Sequence, residues 1–361
     1  MKRVLILGAG KSSSYLIRHL VSKRKELNIS LSILDLQVSH LAEYQNFDEI
    51  SIIKLNSGNI DEYENYIEKS FITISMLPAF MHIEVAKICL KYSSHLLTPS
   101  YISEEMESLS FEAQNKKLIF LNELGFDPGI DHLTTMKIYH EIVAKGGKLT
   151  SYRSYAGGLV ATRSDDNPWH YKFSWNPRNV ILAGQGGDIK FKRNSNQQSL
   201  TYKELFKHSE IIKLNGGQIF DAYANRDSLK YEKLYGWSNL ETLIRGTLRI
   251  HGFCEAWALL IDLGLTDDGK KDIDFIGKSY KEFYSSFIEI DLEEFLKNQS
   301  EAIKEKLNHI GFSDSISTIR IKGSAAEILQ SILVDKWKLD PEDTDWVVMV
   351  HFFEYELDNK K

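Results

Sequence analysis

The chain has 361 residues, 43% hydrophobic and 26% charged, with a formal net charge of −6. That is the balance of an ordinary globular protein long enough for two or three domains, and it leaves no uncompensated basic face, so a nucleic-acid partner is excluded. No window approaches 18 apolar residues, the apolar run at 4–7 is too short for a signal segment, and Cys89 and Cys254 stand far apart without metal or disulfide spacing, so a cytoplasmic protein without a membrane partner is expected.

Residues 2–7, Lys-Arg-Val-Leu-Ile-Leu, read as the first strand of a parallel sheet. Gly8-Ala9-Gly10-Lys11-Ser12-Ser13 follows, then a helix with apolar positions Leu16, Ile17, Leu20 and Val21. Strand, glycine turn and helix N-terminus in this order make a dinucleotide site, in which backbone N–H groups and the helix dipole meet the pyrophosphate. Ser13 stands at the third glycine position of the G-x-G-x-x-G pattern, a small residue where helix and strand must approach closely. A phosphate loop of the G-x-x-x-x-G-K-S type is excluded, because Leu5 occupies the place of its first glycine. A second strand at 30–34 closes on Asp35. An acid there would accept from the adenine ribose hydroxyls and repel a 2′-phosphate, so NAD is expected rather than NADP; the alternative is a cap on the next segment.

Further strands are expected at 51–55, 71–75, 94–98 and 118–121, with loops at Leu77-Pro78, Pro99-Ser100-Tyr101 and Gly125-Phe126-Asp127 opening on one sheet edge. Residues 122–132, Asn-Glu-Leu-Gly-Phe-Asp-Pro-Gly-Ile-Asp-His, then start an apolar-periodic helix through Ile130, Leu133, Met136, Ile138 and Ile142. Asp127 reads either as an N-cap or as a ligand-binding acid at the edge of the sheet.

From Lys148 the pattern changes to strands with long connections, at 149–155, 187–192, 218–221, 241–250 and 344–357, which predicts a largely antiparallel sheet. Residues about 272–335 carry helical patterns, including Ile316, Ile319 and Ile321, while 194–199 reads as a polar loop tip and 344–357 as a strand buried on both faces. Arg245, Thr247 and Arg249 share one strand face, where two guanidiniums flanking a hydroxyl suit carboxylates; pairing with neighbouring acids is the alternative. The fold class is therefore α/β: an N-terminal Rossmann-type doubly wound parallel sheet over 1–126, then an α+β substrate-binding domain over 127–361 with a helical lobe.

Five stretches, in order across nearly the whole chain, resemble the saccharopine dehydrogenase (saccharopine reductase) family in its L-glutamate-forming branch. They are Asn122-Glu123 through His132, Ser154-Tyr155-Ala156-Gly157-Gly158-Leu159, Asn167-Pro168 with Tyr171-Lys172-Phe173-Ser174-Trp175, Asn225-Arg226-Asp227-Ser228, and Arg245-Gly246-Thr247-Leu248-Arg249. The resemblance implies NAD(P)-dependent oxidation of saccharopine, the adduct of glutamate and lysine, to L-glutamate and 2-aminoadipate 6-semialdehyde (allysine), or the reverse reduction. Its small-molecule partners would be saccharopine, or glutamate plus allysine, and a homodimer is admitted as the assembly. It implies cofactor contacts at Gly8, Gly10, Lys11, Ser12, Ser13, Asp35, Leu77, Pro78, Ser100, Gly125, Phe126 and Trp175. Substrate ligands would be Ser100, Tyr101, Asp127, Arg226, Arg245, Thr247 and Arg249, with Tyr101, Asp127 and His132 the candidates for proton transfer; His132 has the alternative of fixing the helix start. Three departures stand out: Ala156 where the family has cysteine, Asp35 in place of the arginine-containing pattern of NADP-using members, and an end at Lys361 where members continue with a further helix. A carboxynorspermidine dehydrogenase-like enzyme, which needs fewer carboxylate-binding groups, and a non-catalytic dinucleotide-binding regulator are the competing readings.

Overall fold

In a computed structural model, which describes residues 1–185 and 187–357, alternate side chains of the first strand, β1 (Lys2–Leu7), enter two different cores. Val4 and Ile6 join Ile17 and Val21 of helix α1 (Ser14–Lys23). Leu5 and Leu7 join Tyr63 and Ile67 of α2 (Ile60–Ile67) and Val85, Ala86 and Cys89 of α3 (His82–Tyr92). A strand apolar on both faces, flanked by helices whose apolar stripes recur at helical spacing, is what a doubly wound sheet requires. Each valine, leucine or isoleucine among them, once fully buried, contributes about 1.5–3 kcal/mol.

The sheet is completed by β2 (Ile29–Asp35), β3 (Ile50–Lys54), β4 (Ile72–Ser75), β5 (His95–Leu97) and β6 (Phe120–Leu121), all parallel, in the order β3-β2-β1-β4-β5-β6. The order reverses between β1 and β4, the place where open α/β sheets bind ligands beyond the strand C-termini. Two short helices, α4 (Glu104–Ser108) and α5 (Ser110–Asn115), lie between β5 and β6. Contacts divide the chain after Thr135, within α6 (Ile130–Ala144).

The second unit is built on a sheet with the order β10-β11-β12-β7-β15: β7 (Lys148–Val160), β10 (Glu210–Lys213), β11 (Ile219–Ala224), β12 (Thr242–Ile250) and β15 (Asp345–Glu356). The pairs are antiparallel except β12 with β7, so a parallel pair lies inside the sheet that the sequence predicts as largely antiparallel. A hairpin of β8 (Ile189–Arg193) and β9 (Asn196–Leu200) attaches to β12. Its second strand falls on the expected polar loop tip; the strand is solvent-facing and so lacks apolar alternation. β15 is an edge strand with only Val348 buried along it, not a strand covered on both faces.

Helices α7 (Pro177–Ile181), α8 (Tyr202–Leu205), α9 (Lys230–Leu234) and α10 (Phe253–Asp262) connect these strands. The helical lobe holds α11 (Tyr280–Ser285), α12 (Leu292–Lys297), α13 (Glu301–His309) and α14 (Ala325–Lys336), with a small ribbon of β13 (Ile273–Asp274) and β14 (Lys322–Gly323). Ser279 with Glu282 and Ser324 with Glu327 form capping boxes that start α11 and α14. Ile316, Ile319 and Ile321 lie outside these helices, and Ile316 is exposed, because 310–321 is a connection with Ile319 alone of the three turned inward. No helix among the described residues is long and apolar enough to cross a membrane.

Candidate active site

The turn after β1 is pinned from the neighbouring strand. Gly8 has φ +93°, and a Cβ there would sit 3.0 Å from the Met76 carbonyl oxygen and 3.5 Å from Leu77 Cδ2, so the loops after β1 and β4 meet at this point. A Cβ on Gly10 would meet nothing within 4 Å, which leaves open space over the turn. Ser13 is buried, and its hydroxyl donates back to the Gly10 carbonyl at 2.8 Å, so the small residue in the third glycine position closes the turn. Ser12 is exposed and Pro78 projects at the end of the β4 loop, while the Lys11 side chain lies outside the described residues.

Asp35 does not project from the end of β2. Its Oδ2 accepts the Ala9 N–H at 2.5 Å and its Oδ1 the Gln37 N–H at 2.8 Å. His40 Nε2 meets the Ala9 carbonyl at 2.8 Å, so the Ala9 residue is held at both its N–H and its C=O. His40 was invisible to the sequence reading, since nothing in its local pattern announces a bond to a residue 31 positions away.

Beyond β4 and β5 a buried polar chain runs from Ser75 to His82 to Ser100. Ser75 Oγ lies 2.9 Å from His82 Nδ1, and His82 Nε2 lies 2.8 Å from Ser100 Oγ. Burial pushes the His82 pKa down to about 4, because an imidazolium there would lose its hydration. Next to Ser100, the Tyr101 hydroxyl donates to Asp127 Oδ1 at 2.7 Å.

Asp127 sits in a closed turn. The Gly125 N–H donates to the Pro128 carbonyl at 2.8 Å and the Ile130 N–H to the Gly125 carbonyl at 3.0 Å. Gly129, at φ +146°, admits no side chain, since a Cβ would lie 2.1 Å from the Gly125 oxygen. The N–H of Gly129 donates to Asp131 Oδ1 at 2.6 Å, so Asp131 ties down the backbone at the start of α6. His132 lies between two carboxylates, with Nε2 2.7 Å from Glu123 Oε2 and Nδ1 3.5 Å from Asp131 Oδ2. Glu123 Oε1 in turn accepts the Ile102 N–H at 3.1 Å, tying the loop after β5 to the helix start. Gly125 is half-buried and Phe126 exposed in this turn.

In the second unit, register places Arg245 opposite Ser154 and Thr247 opposite Ala156, while Tyr223 faces Thr247 from β11 and Met349 faces Ala156 from β15. Asn225 Nδ2 donates to Thr247 Oγ1 at 3.1 Å. Arg245 is buried with its guanidinium 4.0 Å from the Tyr231 ring centroid. Arg249 is buried against the rings of Tyr171 and Phe253, 5.0 and 5.5 Å away. Its cross-strand partner Asp221 is committed elsewhere, to His251 Nδ1 and to the Gly252 and Cys254 N–H groups that open α10. Arg226 is exposed in the loop after β11, at φ +51°. Trp175 is exposed beside Gly158 of β7. His351, on the same face as Arg245, has Nδ1 2.9 Å from Ser154 Oγ, a contact that the alternation of β15 contained and the sequence reading passed over.

Residues 4–121 match the family description "Saccharopine dehydrogenase NADP binding domain", and residues 125–361 match "Saccharopine dehydrogenase C-terminal domain". The protein named saccharopine dehydrogenase [NADP(+), L-glutamate-forming] of Schizosaccharomyces pombe is 34% identical over 268 residues, 74% of this chain and 59% of that one. The protein of the same name in Saccharomyces cerevisiae is 32% identical over 297 residues, 78% of this chain and 66% of its own length. The match thus spans under two thirds of either relative. The solved structure described as apo histidine-tagged saccharopine dehydrogenase (L-Glu forming) from Saccharomyces cerevisiae superposes with a TM-score of 0.83 at 28% identity, covering 99% of this chain and 83% of that one.

These findings overturn the expectation of NAD in preference to NADP, since both the domain description and the relatives' names specify NADP. The physical reason lies at Asp35, whose carboxylate is turned onto the backbone of Ala9 and Gln37 and is spent on shaping the turn. The Rossmann-type parallel sheet and a second α+β unit stand as the sequence implied, the second sheet being mixed through its one parallel pair of β12 with β7 among the described residues. With two domain matches that together run from residue 4 to residue 361 and a fold shared over 99% of its length, the chain belongs to the saccharopine dehydrogenase family.

Proposed function

We propose that the chain is an NADP-dependent oxidoreductase acting on a CH–NH bond. It oxidises saccharopine to L-glutamate and 2-aminoadipate 6-semialdehyde, or runs the reverse reduction. The two fungal relatives named for this reaction support the reading. The observation that carries its chemistry is the Tyr101–Asp127 hydrogen bond, an acid and a phenol joined beyond adjacent parallel strands. A cytoplasmic location, in keeping with the buried free thiols of Cys89 and Cys254, belongs to the same proposal.

The glycine turn fits a dinucleotide. Space is open over Gly10, Gly8 takes a positive φ, and Ala9 is held at both its polar backbone groups. Backbone N–H groups of residues 10–12 would hold the pyrophosphate, and the bound NADP supplies the hydride acceptor. The chain's own residues bind, orient and move protons. Asp127 would hold the secondary ammonium of saccharopine and take its proton, with Tyr101 sharing the charge through the bond they already make. Oxidation at the lysine-derived carbon leaves a C=N bond; water adds there, the same pair moves its protons, and the nitrogen departs with glutamate. Arg226, exposed in the loop after β11, would bind a substrate carboxylate, with Arg245, Arg249 and Thr247 as further substrate ligands. His132, clamped between Glu123 and Asp131, would fix the helix start.

Mass-spectrometric analysis of the products from saccharopine and NADP tests this. Equimolar L-glutamate and 2-aminoadipate 6-semialdehyde are expected. Release of lysine and 2-oxoglutarate would mean that the other C–N bond is broken, and the assignment would fall.

A further inference from the structure

The Ser75–His82–Ser100 chain fixes the direction of every hydrogen in it. Ser75 ends β4 and is wholly buried, and among the described residues its hydroxyl has a single partner, His82 Nδ1 at 2.9 Å. A buried hydroxyl hydrogen without an acceptor is costly, so the Ser75 O–H donates to Nδ1. The imidazole is neutral, because it is buried and because it opens α3, where the helix dipole disfavours a cation. A neutral imidazole carries one N–H. With Nδ1 accepting, that hydrogen is on Nε2 and is donated to Ser100 Oγ at 2.8 Å. Ser100 is half-buried, and its hydroxyl has no other side-chain or backbone partner among the described residues, so its own hydrogen is left to point outward.

We propose that His82, held as the Nε2–H tautomer by Ser75, is a positioning residue that makes Ser100 a hydrogen-bond donor to the bound ligand. Ser100 then takes an acceptor, a carboxylate oxygen of the substrate, and leaves the substrate's ammonium to Asp127. The inference rests on the proposed function for the placing of Ser100 at the substrate, but the tautomer itself does not.

Imidazole ¹⁵N NMR of the full chain, with the His82 signals assigned by their loss in His82→Gln, reads the tautomer directly. Nε2 protonated and Nδ1 unprotonated is expected; the reverse tautomer, or an imidazolium at neutral pH, overturns the proposal whether or not saccharopine is a substrate. The second measurement compares two variants. His82→Gln keeps an N–H where Nε2 stood and should hold KM for saccharopine near that of the unaltered protein. His82→Met, of similar volume, should raise KM about fivefold, the worth of one neutral hydrogen bond, with kcat little changed. Equal KM in the two variants would show that His82 does not act on the ligand through Ser100. If the unaltered protein turns over no saccharopine, the proposed function fails and the NMR result still decides the tautomer.

Discussion

The Tyr101 hydroxyl donates to Asp127 Oδ1 across 2.7 Å, joining the loop after β5 to the turn ahead of α6. The two act as one unit if Asp127 holds the substrate ammonium as a carboxylate and then takes its proton, because the phenol stabilises the charged form and so sets how readily the proton is taken. Asp127→Asn should lower kcat/KM by about 10²–10⁴, the usual worth of a positioned acid–base group. Tyr101→Phe should cost less, and the double variant should cost less than the sum of the two effects expressed as free energies. Additive losses would separate the two roles.

Asp35 offers a second test, on the cofactor. Since its oxygens hold the Ala9 and Gln37 N–H groups, Asp35→Ala should loosen the turn and weaken NADP and NAD alike. The loss should be about 1.5–3 kcal/mol, the range for a hydrogen bond to a charged group. Titrations of both cofactors by fluorescence check this; a selective gain for NADP would restore Asp35 to the role of reader.

Gly129 carries the turn that presents Asp127. At φ +146°, with the Gly125 oxygen 2.1 Å from the position of a Cβ, Gly129→Ala must displace the backbone. Thermal unfolding should show a loss of roughly 2 kcal/mol or more, from strain at a disallowed position, together with a fall in kcat. An unchanged melting temperature would mean that the turn is free to rearrange.

What the sequence made legible follows from period and punctuation. Six parallel strands were placed because each is an apolar run between helices, and the glycine turn was placed because Gly8 and Gly10 follow such a run directly. Long-range polar bonds were not legible. His40 to Ala9 and His82 to Ser100 link residues 31 and 18 apart with no periodic trace. Asp35 differs for a related reason: it closes β2 as the sequence implies, but the direction of its carboxylate is set by Ala9, which the local pattern does not show. The strand period assigns Arg245 and Arg249 to one face, but the burial of Arg245 against Tyr231 and of Arg249 against Tyr171 and Phe253 depends on which elements cover β12, which the period does not show.

Acid should act on the fold through His82. Its folded pKa, about 4, lies below the ordinary histidine value of about 6.5, so the unfolded chain takes up the proton first. The stability tied to the neutral imidazole is therefore complete above about pH 6.5 and is lost as pH falls towards the folded value, by roughly 3 kcal/mol in all. Urea midpoints measured on both sides of this window should drop more steeply for the unaltered protein than for His82→Gln. Parallel curves would mean that His82 contributes nothing to the acid sensitivity.

The measurement that bears most directly on the whole account is cofactor reduction by the purified chain with saccharopine, run with NADP and with NAD, and with carboxynorspermidine in place of saccharopine. The account predicts turnover of saccharopine with NADP as the better cofactor and little or none of carboxynorspermidine. Folded protein that binds NADP yet reduces none of it with saccharopine would contradict the account.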